Sequence, residues 1–185
     1  MEHTKVVKET LISEQQIAQR IIQLGKQITD DMKDSKLLVI GVLRGAWVYM
    51  ADLVRAIDIN CEVDFLCASS YGHSRETSGV VTITRDISAD PAGKDVLLVE
   101  DIVDSGITLT YLKKLFIQRG AKSVKITALL SKPARRVVDI DVDYVGFEIP
   151  DKFVIGYGLD LDDKYRGLRD VCIVDEEEYQ KSLKN

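Results

Sequence analysis

The chain has 185 residues, of which 45% are hydrophobic and 30% are charged, the balance of one ordinary globular domain spanning 1–185. Its formal net charge of -5 argues against a dedicated nucleic-acid binder, since such proteins usually carry a basic excess. The three cysteines form no paired motif and no apolar run approaches bilayer length. We therefore expect a cytoplasmic protein without nucleic-acid or membrane partners.

The first part of the chain contains two helical patterns separated by a strand pattern. A helix is predicted over 13–33, where Ser13 and Gln16 resemble a capping box. The uninterrupted apolar run 37–43 predicts a strand that is covered on both faces. A second helix is predicted over 46–56. We expect one side of this helix to carry Trp47, Met50, Ala51 and Val54.

Strand and helix patterns continue to alternate through the rest of the chain. Further strands are predicted at 61–67, 80–84, 96–99, 124–130, 144–147, 154–157 and 171–174. Further helices are predicted at 108–119 and from 176 onward. The polar stretch 69–79 predicts a mobile loop. This alternation predicts an α/β fold with a central parallel sheet flanked by helices, whose ligands bind at the carboxyl ends of the strands.

One segment, 96–110, runs from a strand through acidic residues and a loop into a helix start. A helix start offers free backbone N–H groups and a positive dipole end, so it can bind an anion. Gly106 lets the backbone approach a ligand closely, while Ser105 and Thr108 add hydroxyl donors. This set predicts a phosphate monoester site, with Asp104 or Ser105 acting only as a helix cap as the alternative. The chain has neither a Walker loop nor the dinucleotide glycine pattern.

Three acidic residues, Glu100, Asp101 and Asp104, lie beside the predicted phosphate loop. Carboxylates repel a phosphate unless sugar hydroxyls or a divalent cation lie between them. A ribose phosphate bound together with Mg²⁺ meets these conditions. The alternative is a solvated strand end, which fits poorly because the acids directly follow a four-residue apolar run.

Residues 96–110 resemble the phosphoribosyl pyrophosphate signature of the type I phosphoribosyltransferases: four hydrophobic residues, Glu-Asp, two hydrophobic residues and Asp-Ser-Gly-x-Thr. From about 37 to 174, the chain is similar to the hypoxanthine-guanine phosphoribosyltransferases of that family. The resemblance implies the type I fold, a central parallel sheet flanked by helices with a small hood from the N-terminal part and about 150–185. It also implies Mg²⁺ as the cofactor and a homodimer or homotetramer.

The resemblance further implies the ribose and phosphate contacts. Glu100 and Asp101 would hold the ribose hydroxyls and the metal. Asp104 would be the catalytic residue that faces the reacting purine nitrogen. The 5′-phosphate would bind the loop formed by Asp104, Ser105, Gly106, Ile107, Thr108 and Leu109.

Two other loops resemble family elements that surround the pyrophosphate and the reacting centre. Arg44 and Gly45 match the pyrophosphate loop, in which the corresponding peptide bond is often cis. Ser70 and Tyr71 belong to a segment, about 69–80, that resembles the flexible lid. Composition alone also allows this segment to be an ordinary surface loop.

The purine contacts that the resemblance implies lie further along the chain. Lys132 would donate to the 6-oxo group of the base, Phe153 would stack on the ring, and Val154 would use its backbone. Asp160 is implied beside the purine and as a ligand of a second metal, and Arg166 would bind pyrophosphate. Taken alone, Lys132 would be a solvated charge and Phe153 a core residue.

These residues imply transfer of 5-phosphoribose from phosphoribosyl pyrophosphate to hypoxanthine or guanine, giving the nucleoside monophosphate and pyrophosphate in purine salvage. A close alternative is a xanthine-preferring enzyme, because one oxo group separates the substrates. A more distant alternative is a nucleotide-sensing regulator on the same fold. The acidic net charge and the presence of Lys132, Phe153, Asp160 and Arg166 oppose that alternative.

Overall fold

The computed structural model describes residues 6–70 and 81–182, in which helices and strands alternate as an α/β fold. The helices are α1 (Glu14–Met32), α2 (Trp47–Ala56), α3 (Ile107–Gln118) and α4 (Glu176–Ser182). The strands are β1 (Val7–Ile12), β2 (Leu37–Leu43), β3 (Cys61–Ser70), β4 (Val81–Arg85), β5 (Asp95–Val103), β6 (Ser123–Ser131), β7 (Tyr144–Glu148), β8 (Val154–Ile155) and β9 (Val171–Val174).

Six of these strands form the central sheet in the order β4-β3-β2-β5-β6-β7. The five strands from β3 to β7 in that order pair in parallel, whereas β4 joins the edge antiparallel to β3. The predicted fold class, a largely parallel sheet with helices, is confirmed. A second, three-stranded sheet of order β1-β9-β8 is antiparallel and joins segments from both ends of the described chain.

The central strands are covered on both faces, as the uninterrupted apolar run predicted. Successive residues of β2 point to opposite faces of the sheet, so they contribute to two different cores. Val39 packs in the core beneath α1 and α2, with Leu24 and Leu53. Leu38 packs on the other face with residues of α3 such as Phe116. The sheet therefore holds its carboxyl-end loops on a rigid, two-sided core.

The first two helices differ in how well the sequence pattern predicted them. Ser13 caps α1 with both hydrogen bonds of the capping box, which confirms that prediction. In α2 the prediction is partly wrong: Met50 is buried, but Trp47 is 49% exposed, and the other buried residues are Tyr49 and Leu53. The hydroxyl of Tyr49 forms a buried 2.6 Å hydrogen bond with Thr127 Oγ1. In the part of the chain described, no helix is long and apolar enough to span a membrane.

Several strands begin or end at other residues than predicted, and one strand was not predicted. The strand β1 was missed because half of its residues are exposed and it carries no alternating apolar pattern. The strand predicted at 96–99 extends from Asp95 to Val103. Glu100 and Asp101 therefore lie within β5 rather than beyond its end.

Candidate active site

A cavity of about 490 Å³ opens at the carboxyl end of the central sheet, where the loops after β2 and β5 meet the segment before β9. The predicted phosphoribosyl pyrophosphate residues that line it are Arg44, Gly45, Glu100, Asp101, Asp104, Ser105, Gly106, Thr108, Leu109 and Arg166. Ile107 is the predicted member of this set that does not line the cavity. The structure thus brings together three separate stretches of sequence around one space.

The loop before α3 has the geometry of an anion site. Gly106 is the N-cap residue and has a left-handed φ of 82°, with no side-chain cap to the helix. The Ser105 hydroxyl makes only a long 3.4 Å hydrogen bond, accepted from the Ile107 N–H. Ser105 therefore gives α3 one weak capping hydrogen bond, at the Ile107 N–H. The N–H groups of the next residues in the first turn can donate to a phosphate, and Thr108 and Leu109 line the cavity.

The acidic pair lies at the floor of the same cavity. Burial, followed by the charge of Asp101, raises the pKa of Glu100 well above its usual value. Burial also raises the pKa of Asp101. These two neighbouring, half-buried carboxyls line the cavity, where hydroxyl donors or a cation can reach them.

The loop after β2 packs directly on this acidic pair. A Cβ atom at Gly45 would overlap the carboxylate of Asp101, so only glycine fits there beside the unmoved acid. The peptide bond between Leu43 and Arg44 is cis. The backbone of this loop therefore borders the cavity at close range.

Charged side chains connect this loop with the segment around Asp160. Arg44 forms a 2.8 Å ion pair with Asp163, and Arg166 forms ion pairs with Asp160 at 2.8 Å and Asp163 at 3.3 Å. Arg166 also donates to the Gly158 carbonyl. Asp163 was not predicted as a site residue. Its position three residues before Arg166 in an acidic run was the available signal.

A second cavity, of about 530 Å³, contains the predicted purine residues. Lys132 is only 8% exposed, and its ammonium lies 3.8 Å from an Asp151 carboxylate oxygen. Phe153 is 48% exposed and Val154 is buried, and both line the cavity together with Asp160. The readings of Lys132 as a solvated charge and of Phe153 as a core residue are therefore wrong.

Asp104 lies between the two cavities and is held by two arginines. Arg135 Nε donates to its Oδ1 atom at 3.2 Å. Arg136 donates to the Asp104 carbonyl at 2.7 Å and to the Ser131 hydroxyl at 2.9 Å. Burial lowers the pKa of the Arg136 guanidinium. Arg135 was not predicted as a site residue, and its signal was a cation three residues after Lys132.

The two cavities share a wall formed by Asp101, Ile102, Asp104 and Asp160. A ligand in the first cavity and a ligand in the second would therefore meet beside the Asp104 carboxylate. This arrangement can bring two substrates together at one acidic group.

The acidic residues bear on the metal prediction, and the end of β3 bears on the lid prediction. Within residues 6–70 and 81–182, no group of three or more His, Cys, Asp and Glu side chains is placed to hold a metal ion alone. Mg²⁺ often uses only one or two carboxylates together with substrate phosphates, and the acidic pair fits that pattern. Ser70 ends β3, but its side chain, Tyr71 and the rest of the predicted lid lie outside the described residues.

Comparisons with known proteins place this geometry in context. The family model for the phosphoribosyl transferase domain matches residues 8–162. The chain is 49% identical over 162 residues to the hypoxanthine-guanine phosphoribosyltransferase of Bacillus subtilis, covering 88% of this chain and 90% of that protein. It is 48% identical over 170 residues to the hypoxanthine phosphoribosyltransferase of Salmonella typhimurium, covering 91% and 94%. The crystal structure of a hypoxanthine phosphoribosyltransferase from Staphylococcus aureus superposes with a TM-score of 0.93 at 38% identity, covering 97% of each chain.

Proposed function

Since the chain belongs to the phosphoribosyl transferase family, we propose that it transfers 5-phosphoribose from phosphoribosyl pyrophosphate to hypoxanthine or guanine in purine salvage. The products are the nucleoside monophosphate and pyrophosphate. The observation that carries this proposal is the shared wall of the two cavities, because it brings a phosphoribosyl site and a base site together at Asp104. The names of the relatives support the choice of base.

The first cavity would bind the phosphoribosyl group. The free N–H groups at the start of α3 and the hydroxyls of Ser105 and Thr108 would hold the 5′-phosphate. The carboxylates of Glu100 and Asp101 would accept hydrogen bonds from the ribose hydroxyls. These contacts fix the sugar with its reacting carbon toward Asp104.

The leaving pyrophosphate would lie between the loop at Arg44 and Gly45 and the guanidinium of Arg166, which supplies positive charge where negative charge develops. Mg²⁺ would be held by Glu100 and Asp101, with Asp160 beside a second ion. When bound, the metal supplies further charge neutralisation for the pyrophosphate oxygens.

The second cavity would select a 6-oxopurine. The Lys132 ammonium has three donors and no acceptor, so it matches a 6-oxo group and opposes the 6-amino group of adenine. Phe153 would stack on the ring, with the backbone of Val154 and Asp160 along its edge. Asp104 would accept a hydrogen bond from the imidazole nitrogen and assist its deprotonation as the new bond forms.

The remaining assignments extend this proposal to the whole chain. We infer one domain, in which the three-stranded sheet with about 150–185 forms a hood and 69–80, including Ser70 and Tyr71, forms a lid. The subunits would assemble as a homodimer or homotetramer, and the three free cysteines suit the reducing cytoplasm. None of the relatives reported above favours a xanthine-preferring enzyme or a nucleotide-sensing regulator.

Replacing Asp104 by asparagine tests the proposed role of the shared wall. The variant keeps the shape of the side chain but cannot take a proton, so kcat should fall about 100-fold, with little change in the KM for phosphoribosyl pyrophosphate. Steady-state production of inosinate from hypoxanthine measures both constants. Asp141→Asn, at an exposed aspartate outside both cavities, is the matched control and should behave as wild type. An unchanged kcat in Asp104→Asn would contradict the assignment.

A further inference from the structure

Four charged side chains that line the second cavity form a chain of alternating charge. Arg135 Nε lies 3.2 Å from Asp104 Oδ1, and Arg135 Nη1 lies 3.7 Å from Asp151 Oδ2. The other oxygen of the same carboxylate, Asp151 Oδ1, lies 3.8 Å from Lys132 Nζ. Arg135 and Asp151 therefore connect the two side chains that would contact the base directly, Asp104 and Lys132.

These ion pairs contribute little to the stability of the fold. The side chains of Arg135, Asp104 and Asp151 are 54%, 43% and 50% exposed. Exposed pairs of this kind add little stability, because water and salt screen them and two side chains must be ordered. Because these ion pairs add little stability, their position around the cavity indicates a role in the site rather than in the fold.

The geometry suggests what the connection does. The bond from Arg135 engages Oδ1 of Asp104, which restrains the rotation of the carboxylate and leaves its other oxygen for a ligand. Asp151 places its negative charge beside the buried ammonium of Lys132, which restrains that flexible side chain. Arg135 itself sits in a single 3-10 turn, Pro133–Arg135, whose proline stiffens the backbone directly after Lys132.

We propose that Arg135 and Asp151 are positioning residues. Arg135 holds Asp104 where it contacts the imidazole nitrogen of the base, and Asp151 holds Lys132 where it contacts the 6-oxo group. The inference rests on the proposed function, because it assigns the geometry of that same base site. Arg135 acts on the group at the reacting nitrogen, and Asp151 acts on the group that recognises the oxo substituent. The two residues therefore affect different kinetic constants.

The test compares Arg135→Gln and Asp151→Asn with wild type, using hypoxanthine and guanine with phosphoribosyl pyrophosphate and Mg²⁺. Arg135→Gln should lower kcat about tenfold or more, since misplacement of a catalytic group by a fraction of an ångström is costly. Asp151→Asn should raise the KM for the base by about the same factor. In both variants the KM for phosphoribosyl pyrophosphate and the melting temperature should stay at the wild-type values.

Two further variants separate positioning from a general effect of charge. Arg135→Lys restores a cation but can engage only one carboxylate well, so it should recover part of the lost kcat. Arg119→Gln removes a comparable arginine, which pairs with Asp86 away from both cavities. This variant should leave kcat and both KM values unchanged.

The outcomes separate this inference from the proposed function. An Arg135→Gln enzyme as fast as wild type, or faster because the ion pair blocks the base site, would overturn the inference alone. A loss of kcat that follows a lower melting temperature would also overturn it. A wild-type protein that makes no inosinate or guanylate would overturn the proposed function and the inference together.

Discussion

At the scale of single residues, Gly45 shows how closely the loop after β2 and the strand β5 fit together at the first cavity. It lies against the carboxylate of Asp101, although the two residues are far apart in sequence. A side chain at this position would push either the acidic residue or the loop out of place. The constraint is one of space, because Gly45 is not among the residues with a positive φ.

Gly45→Ala should therefore raise the KM for phosphoribosyl pyrophosphate about tenfold or more, since the added methyl group displaces Asp101 or the loop. Initial rates at varied phosphoribosyl pyrophosphate and saturating hypoxanthine measure the effect. Gly167→Ala is the matched control, because a Cβ atom there would meet nothing within 4 Å. An equal KM for phosphoribosyl pyrophosphate in the two variants would show that binding does not need the close approach of Gly45 to Asp101.

Single residues were also where the sequence was least informative. Lys132 and Phe153 could be assigned only through a family resemblance, since spacing does not reveal that a lysine is buried in a cavity or that a phenylalanine is not. Arg135, Asp151 and Asp163 were missed as site residues because ion pairs between loops leave no periodic pattern.

At the scale of secondary-structure elements, hydrophobic pattern predicted the long and buried elements well. The strand β2 and the buried residues of α3 follow it closely, since both are defined by apolar side chains. The strand β5 is longer than predicted because its last residues pair with β6 up to Val103 and Ser131, and this pairing does not depend on apolar side chains. The strand rather than a loop therefore carries Glu100 and Asp101, which gives the acidic pair a rigid support.

An ion pair links the segment after β4 with the end of α3. Arg119 donates two hydrogen bonds to the Asp86 carboxylate, and these bonds lower the pKa of Asp86 below its usual value of 3.8. A carboxyl group with a lowered folded-state pKa adds stability above its unfolded pKa, and that stability is lost as the pH falls through the folded value. The pair thus stabilises the fold at neutral pH and not in acid.

Asp86→Asn should consequently lower the free energy of unfolding at pH 7 by up to about 1 kcal/mol, a small value because both partners are partly exposed. The difference from wild type should shrink as the pH falls below 3.8. Urea unfolding at several pH values measures it. Asp58→Asn, at an exposed carboxylate without an ion pair among the described residues, serves as the control. If the difference in the free energy of unfolding between Asp86→Asn and wild type stays constant into the acid range, the ion pair with Arg119 is not its origin.

At the scale of the whole molecule, the small antiparallel sheet explains how the second cavity is completed. Val154 of β8 pairs with Ile173 of β9, and Val174 N–H donates to the Phe153 carbonyl at 3.0 Å. The strand β1 pairs with the other edge of β9. The two ends of the described chain therefore cooperate to hold Phe153 beside the central sheet. Such long-range pairing of a half-exposed strand could not be predicted from local sequence.

The most direct test of the whole account is a comparison of four bases with the purified protein. Hypoxanthine, guanine, xanthine and adenine are mixed separately with phosphoribosyl pyrophosphate and Mg²⁺, and the nucleotides are resolved by chromatography. Because Lys132 offers only hydrogen-bond donors, we expect inosinate or guanylate, one pyrophosphate for each nucleotide, and no adenylate. Adenylate as the main product, or no nucleotide from either hypoxanthine or guanine, would contradict the account.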